Sequence, residues 1–311
     1  LTAQVVVRCI SKVADAYKID RNTQRTFKLH GAITYDARIL HWYVEKREVS
    51  IWTIQGRERI PFVAGQRQFE LLKGQRGESD LCIIDGEFYL FAVCEIDIPE
   101  SQDVQDFLGV DMGIVNIATT SAGENYAGSH LNGLRHRHAK LRKKLQTKGT
   151  QAARRLLRKR RRKEQRMAHH VNHVISKRVV EKAQCTGRGI ALENLTGIRD
   201  RVQARKANRR QLNSWSFYDL RQKIEYKAKL AGIPVILVDP RNTSRTCPVC
   251  GCLDKRNRPT QSLFSCLSCG HSGPADTIAA INIGRRATVN RPHSPDVQMT
   301  AQRQGKAPAK G

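Results

Sequence analysis

The chain is 311 residues long, enough for about two domains, and its 55 Lys and Arg against 28 Asp and Glu give a formal net charge of +27. An excess of that size points to a polyanionic partner, because each phosphate neutralised by a cation releases condensed counterions; a merely soluble basic protein, such as a ribosome-associated one, would not need the charge clustered as it is here. Five of the nine cysteines fall between Cys247 and Cys269, which excludes a secreted disulfide framework and suits a reducing cytoplasm, and no run approaches the roughly 20 apolar residues of a membrane span.

The N-terminus has no charged region followed by an apolar core, so no signal peptide is read. Leu1 in place of Met marks either a fragment or a non-standard start codon. Residues 1–20 read as one helix, with Val5, Val6, Ile10, Val13 and Tyr17 at helical spacing. Residues 27–105 then carry short β-branched and aromatic runs, Arg38–Tyr43, Glu48–Thr53 and Glu87–Val93. Asp85-Gly86 between two such runs makes a good hairpin turn. This part reads as an antiparallel, β-barrel-like module or sheet.

Phe107–Thr119 reads as an apolar strand or hairpin. Residues 135–166 hold 16 Lys and Arg and one acid, Glu164. Scattered leucines suggest a helical hairpin with a basic, solvated face. Charge of that density repels itself without a partner, so phosphate contact is expected from Arg135, Arg137, Lys140, Arg142, Lys143, Lys144, Arg154, Arg155, Arg158, Lys159, Arg160, Arg161 and Arg162. A helix over about His169–Ala183 follows, then a buried strand at Gly189–Leu192. Residues 199–210 are basic and loop-like. Trp215–Leu230 reads as an amphipathic helix, Ile233–Val238 as a buried strand, and Ala275–Arg286 as a helix of small residues. The tail beyond Pro292 reads as disordered. Strands alternating with helices from residue 107 onward give an α/β core.

Cys247-Pro-Val-Cys250-Gly and Cys266-Leu-Ser-Cys269-Gly are two C-x2-C pairs fifteen residues apart. Such a pair presents two thiolates to one tetrahedral ion, and the spacing reads as a structural zinc ribbon. Gly251 and Gly270 let the backbone turn behind each pair. Cys252 and His271 lie close enough to be rival ligands but break the symmetry. Cys9, Cys82, Cys94 and Cys185 read as ordinary residues.

Three acids stand at structural joints. Alternation along Phe107-Leu-Gly-Val-Asp-Met-Gly puts Gly109, Asp111 and Gly113 on one face, a carboxylate between two bare positions that a phosphate or metal could approach. Glu193 ends the apolar strand, where sites of open α/β sheets collect. Asp276 sits in the first turn of the small-residue helix, after Pro274. Singly, each is more simply a turn, a solvent exit or a helix start. Together they could hold two Mg²⁺ or Mn²⁺ ions about 4 Å apart and support in-line phosphodiester displacement.

The set Gly-Val-Asp111-Met-Gly, Ala-Leu-Glu193-Asn, Asn242-Thr-Ser-Arg-Thr-Cys247, the four-cysteine ribbon and Ala-Asp276 with Ala-Ala-Ile-Asn-Ile resembles the TnpB family over residues 1–290. These are transposon-encoded, OrfB-type RNA-guided nucleases related to type V CRISPR effectors. The resemblance implies an RNase H-like (RuvC) nuclease core with an inserted zinc ribbon and basic helical hairpin, preceded by a wedge module. It implies Asp111, Glu193 and Asp276 as catalytic magnesium or manganese ligands, and Cys247, Cys250, Cys266 and Cys269 as zinc ligands. The implied partners are guide RNA from a transposon end and target DNA, with no membrane, in a prokaryotic cytoplasm at the nucleoid.

The implied division is 1–26, remnant of a helical recognition lobe; 27–105, wedge; 106–245, first nuclease part with the helical insertion; 246–272, ribbon; 273–290, final nuclease helix; 291–311, tail. The chain departs from the family pattern in two places. The third motif reads Asp276-Thr-Ile278-Ala-Ala where relatives have Asp-x-Asn-Ala-Ala, which places Ile278 near the expected metals. The front is short, lacking the first wedge strand and much of the recognition lobe. A catalytically impaired nucleic-acid-binding remnant and a DNA-strand-joining transposase are the alternative readings.

Overall fold

The computed structural model describes residues 2–160, 163–195 and 217–290, and divides into two units, Leu1–Asp97 and Ile98–Gly311. In the first, helix α1 (Ala3–Ile19) precedes strands β1 (Ile33–Tyr35), β2 (Leu40–Tyr43), β3 (Glu48–Thr53) and β4 (Gly56–Pro61), a short α2 (Gln66–Leu72), then β5 (Gln75–Ile84) and β6 (Glu87–Cys94). The Asp85-Gly86 turn has φ of 54° and 93°, the left-handed pair that suits the twist of a two-residue hairpin. The expected closed barrel does not form. Among the described residues the strands make two separate antiparallel sheets, β1-β5-β6 and β2-β3-β4. After β1 the chain turns at Asp36, whose carbonyl accepts from Ile39 and Leu40. This turn sends β2 to pair with β3 instead of extending the first sheet. Tyr35, Ile39, Leu40, Val49 and Ile51 form the buried core, with Leu81 and Leu90 packed on it.

The second unit is a mixed α/β layer structure. Its strands are β7 (Phe107–Asp111), β8 (Asn116–Thr120), β9 (Asn125–Ala127), β10 (Gly189–Glu193) and β11 (Val235–Val238), ordered β11-β10-β7-β8-β9. β10 runs parallel to both β7 and β11, while β8 returns antiparallel beside β7. A parallel partner requires a long crossover. That crossover contains α3 (Ser129–Lys148), α4 (Gln151–Arg160) and α5 (Lys163–Cys185). Gly149 caps α3 at φ 64° and separates the two basic helices. Helix α6 (Phe217–Leu230) precedes β11, and α7 (Ala275–Val289) ends the described chain.

Both faces of the sheet are covered, which is why its central strands read as continuous apolar runs. Leu108, Val110, Ile190 and Leu192 face α5 and α6 through Ile175, Val179, Leu220 and Ile224. Phe107 and Ala191 face α7 through Ile283 and Ala287. Between β11 and α7 lies the cysteine module, with the small hairpin β12 (Leu263–Ser265) and β13 (Ser272–Pro274). Helix α5 begins six residues earlier than read from periodicity. Trp215, the basic stretch 199–210 and the tail beyond 290 lie outside the described residues.

Candidate active site

In the parallel register, Leu192 pairs with Val110 and Ala191 with Gly109. One step further, Glu193 and Asp111 end neighbouring strands at the same level. Their side chains leave the sheet on the face that carries Gly109 and Ala191. Helix α7 crosses this face very closely. A Cβ on Gly109 would overlap the Ala280 carbonyl, and one on Gly284 would lie 2.7 Å from the Phe107 carbonyl oxygen. Ala279 and Ala280 keep that side of the helix thin and are both buried. Three residues before Ala279, Asp276 lies in the first turn of α7.

Two expectations are corrected here. β7 ends at Asp111, so Gly113 lies beyond the strand, where a Cβ would meet the Asn116 carbonyl at 2.8 Å. Gly109 is covered by α7. The bare positions serve a helix crossing and a turn, and do not open the strand to a ligand.

Asp111, Glu193, Asn194, Thr243, Ser244, Arg258 and Ala279 line an open cleft of about 340 Å³. Burial, then the charges of Glu193 and Asp276, push the Asp111 carboxyl up to about 8, with Arg258 pulling it down. Burial also raises Glu193, against the hydrogen bond from Thr243. The Thr243 hydroxyl donates to Glu193 Oε1 at 2.6 Å. Asn116 Nδ2 donates to Asp276 Oδ2 at 2.8 Å, and Arg258 Nη2 lies 3.4 Å from Asp276 Oδ1. With Asp111 raised by burial and by the two neighbouring carboxylates, the three acids form an all-oxygen donor set that suits a hard divalent cation. They are not drawn as tight as the cysteines: among the described residues, only the four cysteines have three or more ligand atoms all within 4.8 Å.

Ile278 is not among the residues that line the cleft. Two positions along a helix from Asp276 is about 200° around its axis, and Ile278 packs with Phe264, Cys247 and Cys266 in the core of the cysteine module. The sulfurs of Cys247 and Cys269 lie 3.6 Å apart and those of Cys250 and Cys266 3.5 Å. A tetrahedral ion with bonds of about 2.3 Å places its sulfurs about 3.8 Å apart, so the four residues fit one. Backbone N–H groups of Cys269 and Ser268 hold the Cys266 thiol down, to about 6, which favours the ligating thiolate. Cys252 and His271 take backbone roles instead, their carbonyls accepting from Cys247 and Cys266. Cys9 and Cys185 are exposed, and Cys82 and Cys94 half-buried.

Of the basic residues, Arg137, Lys140, Arg142, Lys143, Lys144, Arg154, Arg155, Arg158, Lys159 and Arg160 are exposed on α3 and α4. Arg135 is the exception. Its side chain is 11% exposed and lies 3.8 Å from Glu164, which also meets Arg142 at 3.4 Å. Arg135 ties α3 to α5 and is withdrawn from the exposed set. Arg161 and Arg162 lie outside the described residues. Residue patterns alone did not assign Arg258, Asn116, Thr243 or Asn282. Thr243 and Asn282 stand inside motifs already singled out, but nothing in the sequence pairs Thr243 with Glu193 or Asn116 with Asp276.

Residues 91–198 match the OrfB_IS605 family, described as probable transposase, and residues 217–283 match the Cas12f1-like TNB domain. A CRISPR-associated endodeoxyribonuclease Cas12f1 of Sulfoacidibacillus thermotolerans is 46% identical over 113 residues, 36% of this chain and 25% of that protein. A TnpB-like protein of Methanocaldococcus jannaschii is 37% identical over 126 residues, 40% of this chain and 45% of its own. A Cas12f2 of a Micrarchaeota archaeon is 30% identical over 222 residues, 66% and 41% of the two. The matches span less than half the length of each of these relatives. No described helix is long and apolar enough to cross a membrane. The first family match contains Asp111 and Glu193 and the second contains Asp276, so the chain is similar to OrfB_IS605 and Cas12f1-like TNB sequences at all three acids.

Proposed function

We propose that the chain is an RNA-guided DNA endonuclease of the TnpB type, with the second unit as a RuvC-like nuclease core and Asp111, Glu193 and Asp276 as its catalytic residues. The observation that carries the reading is the register of β7 and β10, which sets Asp111 and Glu193 side by side at the carboxyl ends of parallel strands. Helix α7 brings Asp276 to the same place. Bound Mg²⁺ or Mn²⁺ would supply a lowered water pKa and charge neutralisation at the phosphate. The protein's own contribution is positional. Asn116 and Arg258 orient Asp276, Thr243 holds Glu193, and Arg258 adds a fixed positive charge at the cleft wall.

The four cysteines are assigned a structural zinc. The first unit is assigned to the wedge with the end of a recognition lobe, and the exposed faces of α3 and α4 to the guide–target backbone. Protein contacts follow phosphates while base pairing reads sequence. Guide RNA from a transposon end and target DNA are the proposed partners.

The test is cleavage of a duplex matched to a supplied guide in Mg²⁺. Cutting that needs both guide and matching target, and leaves a 5′-phosphate and a 3′-hydroxyl, supports the reading. Guide binding without cutting in Mg²⁺ or Mn²⁺ would select a non-catalytic binding remnant. Joined strands from a transposon-end substrate would select a transposase.

A further inference from the structure

Glu193 is 7% exposed and its holder Thr243 4%. The Thr243 hydroxyl has one proton and two acceptors in reach, Glu193 Oε1 at 2.6 Å and the Pro240 carbonyl at 3.2 Å. The shorter, charge-assisted contact takes it. Thr243 belongs to the loop joining β11 to Cys247. Asn242 turns that loop at φ 60°, and its carbonyl accepts from the backbone N–H groups of Arg245 and Thr246 and from the Thr246 hydroxyl. Asn282, on α7 and 6% exposed, donates from Nδ2 to the carbonyls of Thr243 and Thr246, each at 2.7 Å. Both amide protons of Asn282 are thereby spent on one loop. The residue after Thr246 is the first cysteine of the ribbon.

We infer that Thr243 is the positioning residue of Glu193, fixing one carboxylate oxygen so that the other is offered to a divalent cation, and that Asn282 ties this orientation to α7 and the ribbon. The inference rests on the reading of Glu193 as a metal ligand. It makes the ribbon a support for two of the three acids. Asp276 hangs from it through α7, and Glu193 is braced by the loop that enters it.

The test is titration of the full zinc-loaded chain with Mn²⁺, reading free Mn²⁺ by electron paramagnetic resonance, without nucleic acid. Thr243→Val keeps the shape and removes the donor, and Thr243→Ser keeps the donor. Without that hydrogen bond, Mn²⁺ binding weakens about tenfold in Thr243→Val, while Thr243→Ser stays within about twofold and zinc content is unchanged in both. Thr243→Ala, which adds no bulk, is expected to match Thr243→Val and answers the question should the valine disturb folding. Wild-type Mn²⁺ binding by the valine and alanine variants, or equal weakening by serine, overturns the inference. Glu193→Gln separates the two claims. If it also binds like wild type, the ligand assignment of Glu193 fails; if it alone loses Mn²⁺, only the role of Thr243 fails.

Discussion

Gly109 on β7 and Gly284 on α7 face each other with no room for a Cβ on either, Gly109 against the Ala280 carbonyl and Gly284 against that of Phe107. This crossing sets how closely Asp276 approaches Asp111. Gly109→Ala must push backbone against backbone, which no rotamer change relieves. A loss of about 3 kcal/mol is expected, read by thermal or denaturant unfolding. Wild-type stability in this variant would mean that the helix does not cross where described.

Ile278 fills the core between α7 and the cysteine module, with Phe264 at its side. Ile278→Asn restores the residue of the family pattern, yet here it buries an amide among apolar neighbours. The expected result is destabilisation by about 2–3 kcal/mol and easier zinc loss to a chelator, with no gain in cleavage. A more active variant of unchanged stability would return Ile278 to the metal site.

Arg135 and its basic neighbours are expected to separate by assay. Lys143→Gln, Lys144→Gln, Arg158→Gln and Lys159→Gln remove exposed charges and leave stability unchanged. Removing one phosphate-binding cation lowers the slope of log affinity against log salt by about 0.7–0.9. Arg135→Met lowers stability and leaves that slope unaltered. A salt slope insensitive to the four exposed residues would place nucleic acid elsewhere.

Within α6, Lys223 donates to Asp219 Oδ1 at 2.7 Å, and from α5 Asn172 donates to Asp219 Oδ2 at 2.8 Å. Burial works to raise the Asp219 carboxyl, but these bonds outweigh it and hold the group below its ordinary value. A depressed carboxylate contributes stability above its unfolded pKa, and that contribution is lost as pH falls through the folded value. The chain is therefore expected to lose stability below about pH 4 in part through this clasp. Asp219→Asn should flatten that part of the curve and cost about 1–3 kcal/mol at pH 7. An unchanged acid limb would assign it to other carboxylates.

The sequence was most legible where one residue type has one use. Two C-x2-C pairs have few structural outcomes, and the apolar runs ending in Asp111 and Glu193 read as strands because both faces are buried. It was least legible where one residue type has several uses. Gly109 looked like access for a ligand and is contact for a helix. Arg135 sits in a basic run like its neighbours, yet its place on α3 turns it inward to Glu164. Arg258 reaches Asp276 across the fold of the ribbon, a proximity no spacing encodes. The β-rich runs of residues 33–94 showed their strands but not their pairing, because the turn at Asp36 decides which sheet β2 joins.

The central claim is that Asp111, Glu193 and Asp276 form one metal-dependent cutting centre. Its most direct measurement is Mg²⁺-dependent cleavage of a guide-matched DNA by Asp111→Ala, Glu193→Ala and Asp276→Ala, with guide-RNA affinity measured on the same preparations. Each substitution is expected to reduce cleavage by at least about a thousandfold while guide affinity stays within about twofold. Cleavage that survives in any one of the three would contradict the shared centre.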